Sequence, residues 1–181
     1  MSAIQRLLSP QASDLGFPIQ RLLPAAEVQS IGPFVFFDHM GPAIFAREGT
    51  AGDVRPHPHM GLSTVTYLYS GAMMHRDSLG FVQRIEPGAI NLMVAGRGIV
   101  HSERVPEDIR RDQIPVQGIQ VWLALTAKQE EREPAFHHYP AESLPTLTSD
   151  GVLVRLLIGS AFNLTSPVIT DVPTFQADVK L

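Results

Sequence analysis

Along this chain apolar residues alternate with polar ones far more often than they recur at the spacing of a helix. The strongest cases are "STVTYLYSG" (63–71), "AINLMVAG" (89–96), "GIQVWLAL" (118–125) and "GVLVRLLIG" (151–159). Each is rich in β-branched, aromatic or alternating residues. Gly71, Pro87-Gly88, Gly96-Arg97-Gly98 and Asp150-Gly151 punctuate them. "FVFFDHM" (34–40), "MMHRDS" (73–78) and "IVHSER" (99–104) are shorter segments of the same kind, with Gly41-Pro42 and Gly80 as further breaks. Helical signals are confined to "EDIRRDQ" (107–113), with room for one or two turns, and "TAKQEEREP" (126–134), which is helix-compatible but short. Many short strands at this spacing predict an all-β domain, an antiparallel sandwich or barrel. "PAFHHYPAESLPTLTSD" (134–150) reads as a loop crossing from one part of the domain to another. No internal repeat is visible.

The final segment behaves differently. "TFQADVKL" sets Phe175, Ala177 and Val179 against Thr174, Gln176, Asp178 and Lys180, the alternation of a strand with one buried face. No partner strand follows it in the sequence. An edge left in that state invites association. The expectation is that residues 172–181 pair with another chain or are disordered, with some apolar surface left open.

Composition narrows the function classes. A chain of 181 residues is long enough for one domain with a real core. Hydrophobic residues at 44% and charged residues at 18% are ordinary for a globular protein. A formal net charge of −4 without blocks of like charge argues against a nucleic-acid face. Cysteine is absent, which excludes disulfides, thiolate metal sites and a cysteine nucleophile. Any metal must be held by nitrogen and oxygen. The N-terminus has neither a basic stretch with an apolar core nor a small-residue cleavage site, and no run is long enough to span a bilayer. The expected location is cytoplasmic.

The candidate chemistry lies in "RPHPHMG" (55–61) and "PGAINLMVAGRGIVHSE" (87–103). If the first segment is extended, His57 and His59 point the same way. His101 and Glu103 repeat the device. One such pair on a strand can simply be exposed; two, each beside glycine turns, point to a shared site. Three imidazoles and a carboxylate on the inner face of a barrel suit a divalent first-row ion such as Fe(II), Mn(II), Co(II) or Ni(II), with open positions for substrate or oxygen. Gly96-Arg97-Gly98 fits a tight hairpin into the His101 strand. It is not a nucleotide fingerprint, since the third glycine and the strand–helix context are missing. His137 and His138 are adjacent and face opposite ways, as in a solvated loop. His39 and His75 stand alone and read as structural.

These motifs also resemble a known family. G-x(4)-H-x-H running to Gly71, then P-G-x(7)-G-x-G-x-x-H-x-E, resembles the two cupin motifs in the form used by pirins. "HPHMGLSTVTYLYSG", "HRDSLG", "PGAINLMVAGRGIVHSE" and "GIQVWLAL" resemble pirin stretches in order and spacing, and "GPFVFFDHMGP" resembles the family's opening motif. The similarity begins at about residue 16. It implies a cupin-type double-stranded β-helix, a jelly-roll barrel, with His57, His59, His101 and Glu103 as metal ligands. The usual ion is Fe(II), with Mn, Co, Ni, Cu or Zn as alternatives. It implies a quercetin 2,3-dioxygenase-type reaction on a flavonol-like aromatic substrate with O2, with Glu103 as the catalytic base. The alternative it implies is an iron-binding, redox-responsive regulator that binds a partner protein without turnover; a metal-binding remnant without activity is a third. A homo-oligomer fits either of the first two readings, and direct contact with nucleic acid or membrane fits neither.

Two departures stand out. Ser63 occupies the position of a glutamate found in many cupins, so Glu103 is the only acidic side chain the two motifs supply. Pirins typically have two stacked cupin domains. Residues 1–171 are therefore expected to form an N-terminal pirin-type domain, and 172–181 to resemble the start of a second that is missing.

Overall fold

In a computed structural model that describes residues 4, 6–14 and 16–181, alternation of side chains has become antiparallel strands in layers. Along the chain these are β1 (Gln11–Asp14), β2 (Pro18–Leu23), β3 (Phe34–Ala43), β4 (Val54–His59), β5 (Leu62–Ser70) and β6 (Met73–Asp77). Then come β7 (Val82–Ile85), β8 (Ile90–Val94), β9 (Ile99–Arg104), helix α1 (Glu107–Arg111), β10 (Val116–Ala124) and β11 (Ala135–Tyr139). A single 3-10 turn (Ala141–Ser143) leads to β12 (Thr146–Ser149), β13 (Val152–Ile158), β14 (Ser160–Ala161), β15 (Leu164–Thr165) and β16 (Gln176–Lys180). Among the described residues no helix is long and apolar enough to cross a membrane.

A seven-stranded sheet runs β1-β2-β3-β10-β5-β8-β11, and a four-stranded sheet runs β4-β9-β6-β7. From β3 to β10 the chain passes back and forth between the two, broken only by the β6–β7 hairpin, which is the jelly-roll course of a double-stranded β-helix. Ile19, Leu68 and Val116 of the large sheet pack on Met73 and Ile85 of the small one. Met93 and Phe136 pack on Ile99 in the same way. The large sheet is covered on its other face as well. Val65, Tyr67, Ile90, Leu92, Ile119, Val121 and Leu123 pack against Leu144, Leu157, Ile158 and Val168. The residues between them in sequence, Thr66, Asn91, Gln120 and Trp122, line a cavity on the opposite face. Period-two alternation thus sorts each central strand into a structural face and a cavity face.

Four expectations need correction. The Gly96-Arg97-Gly98 turn does not make a hairpin, because β8 lies in the large sheet and β9 in the small one. It carries the chain between sheets, with Gly98 N–H bonded to Ala95 O and Arg97 N–H to Arg132 O. Gly96 has φ +51°, and a Cβ there would run into the Arg132 carbonyl, so glycine is required. Residues 126–134 form turns and no helix; Gln129 N–H and Glu130 N–H both bond Thr126 O, and Pro134 follows. The segment 134–150 is not simply a loop, since β11 pairs with β8 and β12 with β13.

The fourth concerns the tail: residues 176–180 form β16, which pairs antiparallel with β13 of the same chain, Val179 opposite Val154. Its facing is also inverted. Asp178 turns inward and accepts a hydrogen bond from the Tyr67 hydroxyl at 2.8 Å, while Phe175 and Val179 are 48% and 51% exposed. The physical reason is the phenol. Tyr67 is fully buried, and its O–H needs an acceptor, which Asp178 on the polar row of this strand supplies. The apolar surface expected to stay open does so. Of the region 1–171, residues 1–3, 5 and 15 lie outside the described residues.

Candidate metal centre

His57 and His59 sit on β4, the edge strand of the small sheet, where Pro56 and Pro58 cost no ladder hydrogen bond on the free side. The next strand, β9, places His101 directly opposite His57. The three rings meet, with centroids 4.9 Å (His57–His59), 4.4 Å (His57–His101) and 5.0 Å (His59–His101) apart. One nitrogen from each lies within 4.8 Å of the other two. These distances suit three ligands around one small cation.

The hydrogen bonds decide which nitrogens are available. His57 Nδ1 is 2.8 Å from Arg55 O, and a carbonyl only accepts, so Nδ1 carries the proton and Nε2 keeps its lone pair. His101 Nε2 is buried and has no partner. Burial, followed by the neighbouring His57, pushes His59 down to about 4. Burial, followed by His57, His59 and His75, pushes His101 down to about 2. Both are therefore neutral at neutral pH, the state a metal ligand requires.

Glu103 lies beside this cluster and outside the set of three. Its Oε1 is 3.4 Å from His101 Nδ1, and its Oε2 is buried without a partner. Burial pushes its carboxyl up to about 7. Ser63, which stands where many cupins have a glutamate, is buried on β5 and does not line the cavity.

The cavity above the histidines is mostly apolar. Phe17, Met40, Val54, Met73 and Ile85 line it together with His57, His59 and Glu103. One wall is aromatic: Phe36 and Trp122, cross-strand neighbours on β3 and β10, stack at 4.0 Å and 11°. Trp122 meets His59 edge-on at 5.0 Å, and Arg21 lies over the outer side of Phe36. A polar row crosses the large sheet in register, His138–Asn91–Thr66–Gln120–Asp38–Arg21. Thr66 O–H donates to Gln120 Oε1 at 2.7 Å, and Asp38 is clamped by Arg21 through two bonds of 2.8 Å.

His75 is not the isolated structural residue that the sequence implies. It is buried against the cluster, with Nδ1 3.4 Å from His101 Nδ1 and Nε2 2.8 Å from Asp77 Oδ2. The sequence signal for it was "HRD" (75–77), an i, i+2 pair of the same design as the other two. His39 contacts Gln117 at 3.1 Å and does not line the cavity. His137 is exposed, and His138 is bonded to Asn91; both lie on β11 and not in a loop.

A jelly-roll barrel with a His-x-His and a His-x-Glu pair on neighbouring strands beside the cavity defines the chain as a cupin. Within that class it belongs to the pirin family, whose family model matches residues 16–123. A pirin-like protein of Caulobacter vibrioides is 45% identical, over 98% of this chain and 62% of its own length. The pirin of Homo sapiens is 33% identical, over 94% of this chain and 56% of its own. The crystal structure of a quercetin 2,3-dioxygenase from Acinetobacter baumannii is similar at TM-score 0.86 and 38% identity, covering 94% of this chain and 56% of that one. The chain thus spans little more than half the length of these relatives.

Proposed function

We propose that the chain is the metal-holding domain of a pirin-type oxygenase that cleaves a flavonol-like aromatic substrate with O2. One observation carries the reading: three histidine nitrogens meet beside an unpartnered carboxylate oxygen under an apolar cavity with an aromatic wall. His57, His59 and His101 would hold the ion, with Glu103 as a fourth ligand or as a base. Fe(II) is the ion we favour, and the donor set also admits Mn, Co, Ni, Cu or Zn. Bound there, it supplies Lewis-acid and redox chemistry toward a substrate oxygen.

The chain's own residues do the rest. Glu103 Oε2 is free to take the proton of a substrate hydroxyl. Phe36 and Trp122 put aromatic carbon on the cavity wall, against which an aromatic ring can pack. Thr66, Asn91 and Gln120 present polar groups to oxygens at its far edge. The remaining apolar lining excludes water. The cavity encloses about 100 Å3, less than the ~300–1,000 Å3 of ordinary ligand sites, so one ring enters and the rest of the molecule lies in the mouth.

The test is to strip the protein with chelator, reload it with each ion separately, and follow quercetin consumption with O2 uptake and elemental analysis. Turnover should be confined to loaded protein. Equal turnover without metal would remove the ion from the reaction. The small cavity also favours a second reading, a metal-dependent regulator that binds a partner protein. Tight metal binding with no quercetin turnover for any ion is its signature.

A further inference from the structure

Asp77, His75 and His101 form a line of hydrogen-bonding groups that ends at the unpartnered nitrogen of the histidine cluster. We infer that His75 and Asp77 are positioning residues for the metal centre, fixing His101 in the tautomer that leaves Nε2 unprotonated toward the ion. The inference rests on the metal reading above, and its first readout is made on metal-free protein.

The direction of each bond follows from what the groups can do. Asp77 Oδ1 accepts the backbone N–H groups of Leu79 (2.9 Å) and Phe81 (3.1 Å), which pins the carboxylate. Oδ2 faces His75 Nε2 at 2.8 Å; a carboxylate accepts, so Nε2 carries hydrogen. With Nε2 as its donor, the neutral His75 ring leaves Nδ1 as an acceptor. That Nδ1 lies 3.4 Å from His101 Nδ1, which must be the donor. Glu103 Oε1, 3.4 Å from the same nitrogen, pulls the same way as a second acceptor. His101 has one proton, held on Nδ1, and its Nε2 lone pair is left over. The His–His contact is long and orients more than it binds. The His75–Asp77 contact is short and charge-assisted.

Packing and register hold the line in place. The His75 ring stacks on Phe136 at 4.3 Å and 18°, and Phe136 contacts Phe81, whose N–H is one of the donors to Asp77. On neighbouring strands β6 and β9, His75 stands opposite Glu103 and Asp77 opposite His101. Outer groups that pin the second nitrogen of a ligating histidine are worth about 10–100-fold in metal affinity.

Asp77→Asn tests this without changing shape. The two backbone N–H groups keep the amide oxygen at the Oδ1 position, so the NH2 faces His75 Nε2 and forces it to accept. His75 Nδ1 then carries hydrogen and opposes the His101 proton. Long-range 15N–1H spectra of the metal-free protein should show His101 as Nδ1–H in the wild type and moved toward Nε2–H in D77N. Zn2+ affinity by chelator competition should fall about 10–100-fold, with the metal-free melting temperature nearly kept. His75→Gln keeps an acceptor toward His101 and a donor toward Asp77, and should retain more affinity than His75→Phe. The same His101 tautomer and the same affinity in D77N would overturn the inference, as would equal affinities of the Gln and Phe variants. Wild-type protein that binds no divalent ion would sink the metal reading instead, and the tautomer spectra would still decide the relay.

Discussion

Glu103→Gln should stabilise the metal-free protein and weaken the metal-loaded one. Burial lifts the Glu103 carboxyl from its ordinary 4.5 to about 7. The unfolded chain therefore releases this proton near pH 4.5, while the folded chain holds it until about pH 7. In metal-free protein, stability is lost as pH rises through that window, and the deficit is complete above it. At ~1.4 kcal/mol per pH unit the deficit is about 3 kcal/mol. Glutamine does not titrate. Metal-free E103Q should match the wild type near pH 4.5 and exceed it by up to about 3 kcal/mol at pH 8, or ~6–12 °C in melting temperature for a chain of this size.

A bound cation reverses the sign, because it compensates the charge that burial penalises. An amide is a poorer oxygen ligand and cannot accept the proton. Loaded E103Q should turn over substrate ~10²–10⁴-fold more slowly if Glu103 is the base. The assay is a set of thermal melts at pH 4.5, 6 and 8, each with chelator and with Zn2+, beside metal content and turnover. Metal retained with turnover lost marks a base; both lost marks chiefly a ligand; unchanged turnover excludes both roles. A metal-free melting difference that fails to grow with pH would refute the burial argument.

Three further outcomes follow from the same geometry. His101→Ala removes the nitrogen that faces both His57 and His59, and Zn2+ affinity by competition titration should fall by more than the ~100-fold expected of an outer group. In chelated protein, His59 and His101 stay neutral in the fold down to about 4 and about 2, whereas the unfolded chain protonates them below 6.5. Stability should thus fall as pH drops below 6.5, by up to ~1.4 kcal/mol per unit per histidine, partly offset by Glu103 in its own window; a urea midpoint that is flat or rising from pH 7 to 4.5 would contradict this. A chain ending at Asp171 loses the β13–β16 ladder and the acceptor for Tyr67, so it should melt several degrees lower and scatter more light; identical melting would mean that β16 contributes nothing.

The parts of the site legible in the sequence were those fixed by local alternation. His57 and His59, or His101 and Glu103, share a face because they are two residues apart on a strand, and no tertiary knowledge is needed to see it. That β4 lies next to β9 is a long-range fact, and only the resemblance to pirins implied it. The strand at 135–139 was hidden by its flanking prolines and by two adjacent histidines that mimic a solvated loop; its pairing with β8 and the burial of Phe136 override that signal. The tail shows the complementary limit. Alternation says that a strand has two faces but not which one is buried, and here a single phenol decides for the polar row.

His75 is hard to place from the sequence for a different reason: taken alone it is one histidine, whereas the unit is the pair. H-x-H on β4, H-x-E on β9 and H-x-D on β6 are one device repeated on three neighbouring strands of the small sheet. The two carboxylates in that set have opposite surroundings. Asp77 accepts two backbone N–H groups and one imidazole, so its oxygens are committed. Glu103 has one oxygen near His101 and another, buried, with no partner. A carboxylate whose bonds are all made holds its neighbours in place, and one with an orphaned oxygen and an affinity near pH 7 is available for a cation or a proton. The same i, i+2 spacing thus produces a supporting pair at β6 and a reactive pair at β9, and the backbone turn at 77–81 is what separates them.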